Sequence, residues 1–348
     1  VVRWAKEVLI NSITAVGNYQ GGHMKILNTA PVPGAFFKDG IEARVPGLVY
    51  SIIDAHRLPE DRLMVEVADT DLLLGDYTGA TLITRPIVKA AGRLKLIQQP
   101  SVGYNHIDID ACKEFGIPVA NTPGANDIGV AEHTVMLALA CLKNLPLFNT
   151  KTHEGEWLFD RRREIGVFEI NGKTYGLLGM GRTARAVAER IAPFGVRLLY
   201  YDIVRMSAED EKRYHASYAP LEEILKTADV VSLHLPLTRE TEGIIGASML
   251  ALMKPTAVLI NVGRGPLVDE AALAEALRSK KLAAAAVDVF SQEPPPGNHP
   301  LFGLENVILT PHLAGSTLES AVRIINMALD NMGRVLRGEK PLWVLNPF

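Results

Sequence analysis

Thr174-Tyr-Gly-Leu-Leu-Gly-Met-Gly-Arg-Thr-Ala184 is the stretch whose reading decides the fold. An apolar run of strand character ends in Gly179-x-Gly181-x-x-Ala184, and Arg185 to Ile191 then continues with helical apolar spacing. Gly179 permits the tight turn, Gly181 lets the backbone approach a pyrophosphate, and Ala184 is small enough for helix to pack on strand. The N–H groups at the helix start face the phosphates. About 20 residues on, a second apolar run, Val196 to Tyr201, closes at Asp202, where a carboxylate accepts from a ribose 2′-OH. Strand, glycine turn, helix, strand and acid in that order read as a dinucleotide site. A carboxylate there repels an adenosine 2′-phosphate, which favours NAD over NADP. Arg205 lies close by and softens that preference. The plainer alternative for Asp202 is a strand-end turn residue.

Working outward, 348 residues suffice for two domains with real cores, and 48% hydrophobic content fits a packed globule. A net charge of −3 gives no electrostatic case for nucleic acid. No apolar run reaches the ~20 residues that a membrane span needs, so no membrane partner is expected. Cys112 and Cys141 suit a reducing, cytoplasmic compartment and read as small buried hydrophobes. With neither Cys-x-x-Cys nor His-Glu-x-x-His present, no metal site is expected. Residues 1–23 stand apart. Arg3, Lys6 and Glu7 interrupt any hydrophobic region, so this is no secretory signal, and Gly21-Gly-His-Met24 reads as the end of a leader or tag-like extension. A native helical extension is the alternative.

From Met24 to about Asn126 short strands and helices alternate. Strands are expected at 25–30, 64–67, 72–74, 94–98 and 119–120, and helices at 48–56, 85–91 and 109–115. A long helical segment follows from Asp127 to about Leu145, continuing toward Trp157 after Pro146. The second series has strands at 176–179, 196–201, 230–233, 257–262, 283–288 and 307–309, with helices at 182–192, 221–227, 247–253 and 270–279. The tail from His312 spaces Ala321, Ile324, Ile325, Ala328, Leu329 and Met332 as one amphipathic helix. Such alternation implies an α/β protein of doubly wound parallel sheets with right-handed crossovers.

Three strand exits follow the nucleotide motif. Leu259-Ile-Asn-Val-Gly-Arg264-Gly places a guanidinium where it can grip a carboxylate bidentately. Asp288-Val-Phe-Ser-Gln-Glu293-Pro brings two carboxylates, and Val307-Ile-Leu-Thr-Pro-His312 a histidine. Singly, each has a bland reading as a surface ion pair or a structural histidine. Together they supply what hydride chemistry on a 2-oxo acid needs: a carboxylate clamp, a proton donor and a tuner for that donor.

On these motifs the chain resembles the D-isomer-specific 2-hydroxyacid dehydrogenase family, which includes D-3-phosphoglycerate dehydrogenase, glyoxylate/hydroxypyruvate reductase and formate dehydrogenase. The likeness runs from Lys25 to the C-terminus through Ser101-Val-Gly-Tyr-Asn-His-Ile-Asp108, Gly116 to Gly124, Val130-Ala-Glu132, Ala228 to Pro236, Ile260 to Gly265 and Thr310-Pro-His312. It implies His312 as general acid/base, Glu293 as its partner and Arg264 as substrate clamp. A carboxylate beside an imidazole favours the imidazolium, which holds a proton for the carbonyl. Substrate contacts are implied for the backbone N–H groups around Val102 and Gly103, for Asn126, and for Tyr77 on the loop Leu72-Leu-Leu-Gly-Asp76-Tyr-Thr-Gly79. Cofactor contacts are implied for Gly179, Gly181, Arg182, Thr183, Asp202, His234, Pro236 and Val262, with Asp288 facing the nicotinamide carboxamide.

The resemblance also implies a Rossmann NAD-binding domain, 126–311, inserted into a flavodoxin-like substrate domain built from 24–125 and 312–348, with a cleft that closes on substrate. It implies a homodimer through the helical segment 127–157, for which a plain interdomain helix is the alternative. Asp76 on the substrate loop would repel a phosphate, with Arg85 further along to compensate, so a small unphosphorylated 2-oxo acid is expected and phosphoglycerate is the alternative. NAD-sensing co-repressors and oxyanion dehydrogenases of the phosphite type share the frame and remain open readings.

Overall fold

The computed structural model describes residues 22–347, so the leader-like reading of 1–23 falls almost wholly outside the described residues. The chain forms two compact units, one from the stretch up to Asn126 together with the stretch from Leu318 onward, the other from Asp127–Thr317.

In the first unit all strand pairs are parallel: β1 (Met24–Asn28), β2 (Tyr50–Asp54), β3 (Leu72–Leu74), β4 (Leu96–Gln98) and β5 (Val119–Ala120), in the order β2-β1-β3-β4-β5. That is the flavodoxin-like order. Alternation along the strands splits the core into two layers. Leu27, Leu73, Ile97 and Val119 face the helices Glu60–Val67, Arg85–Ala90 and Ile109–Glu114. Ile26, Leu72, Leu74 and Leu96 face Lys38–Arg44 and the C-terminal helix Leu318–Leu336, whose Leu329, Met332 and Leu336 are buried.

Two expectations are corrected here. Residues 48–56, read as helix, form β2, whose Tyr50, Ile52 and Ile53 suit a pleated surface and pair in register with Met24, Ile26 and Leu27. Residues 64–67, read as strand, end the helix Glu60–Val67, in which Leu63 and Val67 share the buried face while Val65 is exposed. A four-residue apolar run carries no period by itself, and the i, i+4 pair decides.

The second unit holds β6 (Thr174–Leu178), β7 (Arg197–Tyr201), β8 (Ala216–Tyr218), β9 (Val230–Leu233), β10 (Val258–Asn261), β11 (Ala284–Val287) and β12 (Val307–Leu309), parallel throughout. The order β12-β11-β10-β9-β6-β7-β8 reverses direction between β6 and β9, as in a Rossmann sheet. One layer of core lies under the helices Asp127–Leu142 and Arg182–Ile191, the other under Leu221–Thr227 and Glu270–Arg278. β8 and the helix Ala208–Arg213 were not read from the sequence, because Lys212, Arg213 and His215 mask the weak apolar signal.

The return to the first unit falls at Leu318 rather than at His312. Residues 312–314 stay with the second unit because the backbone N–H of His312 donates to the Asp288 carbonyl at 2.8 Å, and those of Leu313 and Ala314 to its carboxylate.

Candidate active site

In an open α/β sheet, ligands bind beyond the carboxyl ends of the strands where the order reverses. In the second unit that point lies between β6 and β9, and Gly179 and His234 occupy it. Gly179 has φ +91°, and a Cβ there would stand 2.8 Å from the carbonyl carbon and oxygen of His234. Only glycine admits that approach. A Cβ on Gly181 meets nothing within 4 Å, so the mouth of the turn is open. The helix Arg182–Ile191 starts there with no side-chain cap, leaving its dipole end for an anion.

Asp202 closes β7 and reaches back: Oδ2 accepts from Met180 N at 2.7 Å and Oδ1 from Val204 N at 3.2 Å. The carboxylate therefore braces the glycine turn while half of its acceptor sites remain for a ribose, a bracing role that spacing did not reveal. These features fit a dinucleotide. When bound, the nicotinamide supplies a hydride.

The other expected cofactor residues sit around the same sheet end. Arg182 is exposed at the first helical position, and Thr183 donates its hydroxyl to Asp127 at 3.1 Å. The His234 ring pairs with Ser232 at 2.8 Å, and burial pushes its pKa down to about 3, so it is neutral. The Pro236 carbonyl accepts from Thr241, and Val262 is buried after β10.

Arg264, Glu293 and His312 converge in this unit. Asn261 donates to the Arg264 carbonyl at 2.9 Å and accepts from Gly263 N at 3.1 Å, fixing the turn after β10. A Cβ on Gly265 would fall 1.9 Å from the carbonyl carbon of Phe290, so the Arg264 turn is wedged directly against the loop that carries Glu293. Glu293 accepts from Phe290 N at 2.9 Å through Oε1 and from the His312 Nδ1 at 2.6 Å through Oε2. Burial pushes the Glu293 carboxyl up, yet the bonds from His312 and Phe290 and the charge of Arg264 outweigh it and hold the pKa below the usual range. Glu293 is thus a carboxylate. The two side chains are 50% and 37% exposed, so the pair faces solvent with its outer imidazole nitrogen available to a ligand.

His312 has φ +54°, the left-handed region that few residues other than glycine adopt. Asp288, wholly buried, enforces it by accepting from the Thr310 hydroxyl at 2.5 Å, Leu313 N at 2.8 Å and Ala314 N at 2.9 Å. His133 backs the same cluster, 3.2 Å from the Thr310 hydroxyl. The sequence reading assigned Asp288 to the carboxamide and missed its part in shaping the His312 loop, because its partners lie 22–26 residues away. His133 was missed altogether.

In the first unit the expected substrate residues follow β3 and β4. Asn121 holds the Val102 carbonyl at 2.9 Å and Ser101 the Gly103 carbonyl at 2.8 Å, which fixes that backbone. Asn126 is half-buried at the end of this stretch. Tyr77 is 48% exposed. Asp76, pictured as repelling a phosphate, is instead buried, accepting from Thr78 N and Oγ1 at 2.8 and 2.6 Å and from Thr81 N at 2.9 Å. Burial pushes its carboxyl up, but those bonds hold the pKa below the usual range. Arg85 is paired with Glu114 at 2.5 Å rather than turned to compensate.

Fold and site define a two-unit α/β oxidoreductase with a dinucleotide fold. Residues 135–314 match the D-isomer specific 2-hydroxyacid dehydrogenase, NAD binding domain family. The chain is 40% identical to a glyoxylate reductase of Aeropyrum pernix, over 83% of this chain and 86% of that one. It is also 40% identical to a D-3-phosphoglycerate dehydrogenase of Methanocaldococcus jannaschii over 83% of this chain, and spans 54% of that longer protein. A crystal structure of D-lactate dehydrogenase from Aquifex aeolicus, complexed with NAD and lactic acid, matches 90% of this chain and 96% of that one with a TM-score of 0.79 and 31% identity. The chain belongs to the D-isomer specific 2-hydroxyacid dehydrogenase family, a family of nicotinamide-dependent oxidoreductases, and it carries that family's NAD-binding domain.

Proposed function

We propose that this chain reduces a small, unphosphorylated 2-oxo acid to the D-2-hydroxy acid with NADH, His312 acting as the general acid. The observation that carries this reading is the half-exposed His312–Glu293 pair, 2.6 Å across, beside the Arg264 turn. Arg264 binds the substrate carboxylate. Protonated His312 gives its Nε2 proton to the carbonyl oxygen as the C=O π bond opens and C2 receives hydride, forming C–H and O–H bonds and leaving oxidised cofactor. Glu293 steadies the imidazolium until that transfer and orients the ring through Nδ1. In the reverse direction His312 takes the hydroxyl proton.

The loop around Tyr77 favours an unphosphorylated substrate. Residues 75–81 carry no cation, burial keeps the nearby His106 imidazole below its ordinary pKa, and Arg85 is committed to Glu114. A phosphate dianion finds no partner on that loop, whereas Tyr77 offers a ring to a short carbon chain.

In the same reading, Leu145 and Trp157, each more than half exposed, support a homodimer formed through 127–157, and the two buried free cysteines support a cytoplasmic setting.

The test is NADH oxidation against glyoxylate, hydroxypyruvate, pyruvate and 3-phosphohydroxypyruvate, repeated with NADPH. Turnover of a small acid is expected. Preference for the phosphorylated acid would overturn the substrate reading. Silence with NADH still binding would overturn the enzymatic one.

A further inference from the structure

Glu211, on the helix Ala208–Arg213, closes three bonds at once in the second unit. Its Oε1 accepts from the Tyr200 hydroxyl at 2.8 Å and from Arg205 Nε at 2.9 Å, and its Oε2 from Arg205 Nη2 at 3.2 Å. Arg205 also lies over the Tyr218 ring, 5.5 Å from its centroid, and Tyr218 packs edge-on against buried Tyr200. The Tyr200 hydroxyl in turn accepts from Met206 N at 2.9 Å. The turn after Asp202 is therefore folded back, with its guanidinium drawn onto the helix, while Ile203 and Val204 are left exposed. Neighbouring Arg185 and Arg213 are engaged too, with Asp210 at 3.5 Å and Glu189 at 3.8 Å.

Asp202 repels a 2′-phosphate, and a cation on the same turn is the group that offsets such repulsion. Arg205, three residues beyond Asp202, is the cation that this turn carries. We propose that Glu211 is a specificity residue for the dinucleotide: its two-pronged grip withholds Arg205 from an adenosine 2′-phosphate and sharpens the choice of NAD that Asp202 begins. The fork geometry of arginine makes this hold directional, and the Tyr200 hydroxyl keeps the carboxylate from turning away. The inference rests on Asp202 facing the adenosine ribose.

Equilibrium titration with adenosine 2′,5′-bisphosphate and with 5′-AMP tests it without any turnover. Glu211→Gln keeps an acceptor for Tyr200 while losing the charge. Relative to 5′-AMP, this variant is expected to bind the bisphosphate about threefold tighter or more, the range that an exposed ion pair commands. The gain should vanish in the Glu211→Gln/Arg205→Ala double variant and shrink at high salt. An unchanged ratio in Glu211→Gln, or a gain that survives in the double variant, would overturn the proposal. Arg205→Ala alone provides an arm that does not depend on how Glu211→Gln folds. It is expected to lower the wild-type ratio by less than the Glu211→Gln gain, through the freed Glu211 carboxylate alone, and an equal or larger fall would mean that Arg205 is already available. Failure of the underlying reading looks different: Asp202→Ser would then leave the same ratio unchanged.

Discussion

Asp76 and Asp288 are the same device used in two units for different ends. Each is a buried carboxylate just beyond an inner parallel strand, and each accepts from one threonine hydroxyl and two backbone N–H groups of a loop. Asp76 ties up residues two to five positions ahead, so it builds a local turn that displays Tyr77. Asp288 ties up residues 22–26 positions ahead, so it joins two strand exits and forces His312 into a left-handed conformation opposite Glu293. A buried charge is affordable in either place only because its acceptor sites are filled. The local version shapes a surface, and the long-range version positions a proton donor.

The largest effect expected from this contrast is at the donor itself. His312→Ala should lower turnover by at least ~10² while NADH affinity, read by fluorescence titration, stays near wild type. Surviving turnover would move the proton to another group. Asp288→Asn keeps the shape of the side chain but sets an amide against N–H donors. It should cost about 1–3 kcal/mol in urea unfolding and lower kcat at least ~10-fold, because the His312 loop is released. Equal loss of stability with unchanged kcat would reduce Asp288 to a structural role.

Asp76→Asn should cost a similar ~1–3 kcal/mol yet affect kcat much less, since its loop is local. It also carries a pH signature. The folded-state pKa of Asp76 is held below the usual carboxylate range, so its contribution is present at neutral pH and is lost as pH falls through the folded pKa. Urea midpoints of wild type and Asp76→Asn should therefore differ at pH 7 and converge in acid below about pH 4. A gap that persists in acid would point to packing instead of charge. The smallest effect belongs to the displayed ring: Tyr77→Ala should change KM and the ranking of 2-oxo acids several-fold, within the ~1–3 kcal/mol that an apolar contact contributes to discrimination, and leave kcat for the best small acid nearly intact. A fall in kcat with unchanged KM would place Tyr77 in the chemistry.

Much of this was legible in the chain. Gly179-x-Gly181-x-x-Ala184 and Asp202 carry their meaning locally, because a turn, a helix start and a strand end are short-range events, and the same holds for the alternation that gives parallel sheets. Arg264, Glu293 and His312 were legible as strand exits, since a parallel sheet gathers all such exits at one end. The elements misread, 48–56 and 64–67, are short apolar runs whose type is set by what they pack against. Asp76 was visible as a charge, but its burial was not, and burial turns it from a group facing a phosphate into one that braces its own loop.

By itself, then, the sequence determined the two α/β series, the dinucleotide turn and the residue types at the strand exits, all of which depend on neighbours within about one element. The tertiary structure alone decided that Asp288 shapes the His312 loop, that Gly265 wedges the Arg264 turn against Phe290, and that Glu211 grips Arg205 beside Tyr200 and Tyr218. Each depends on contacts between different elements brought together by a sheet order and a register, and periodicity along one chain carries no record of those pairings.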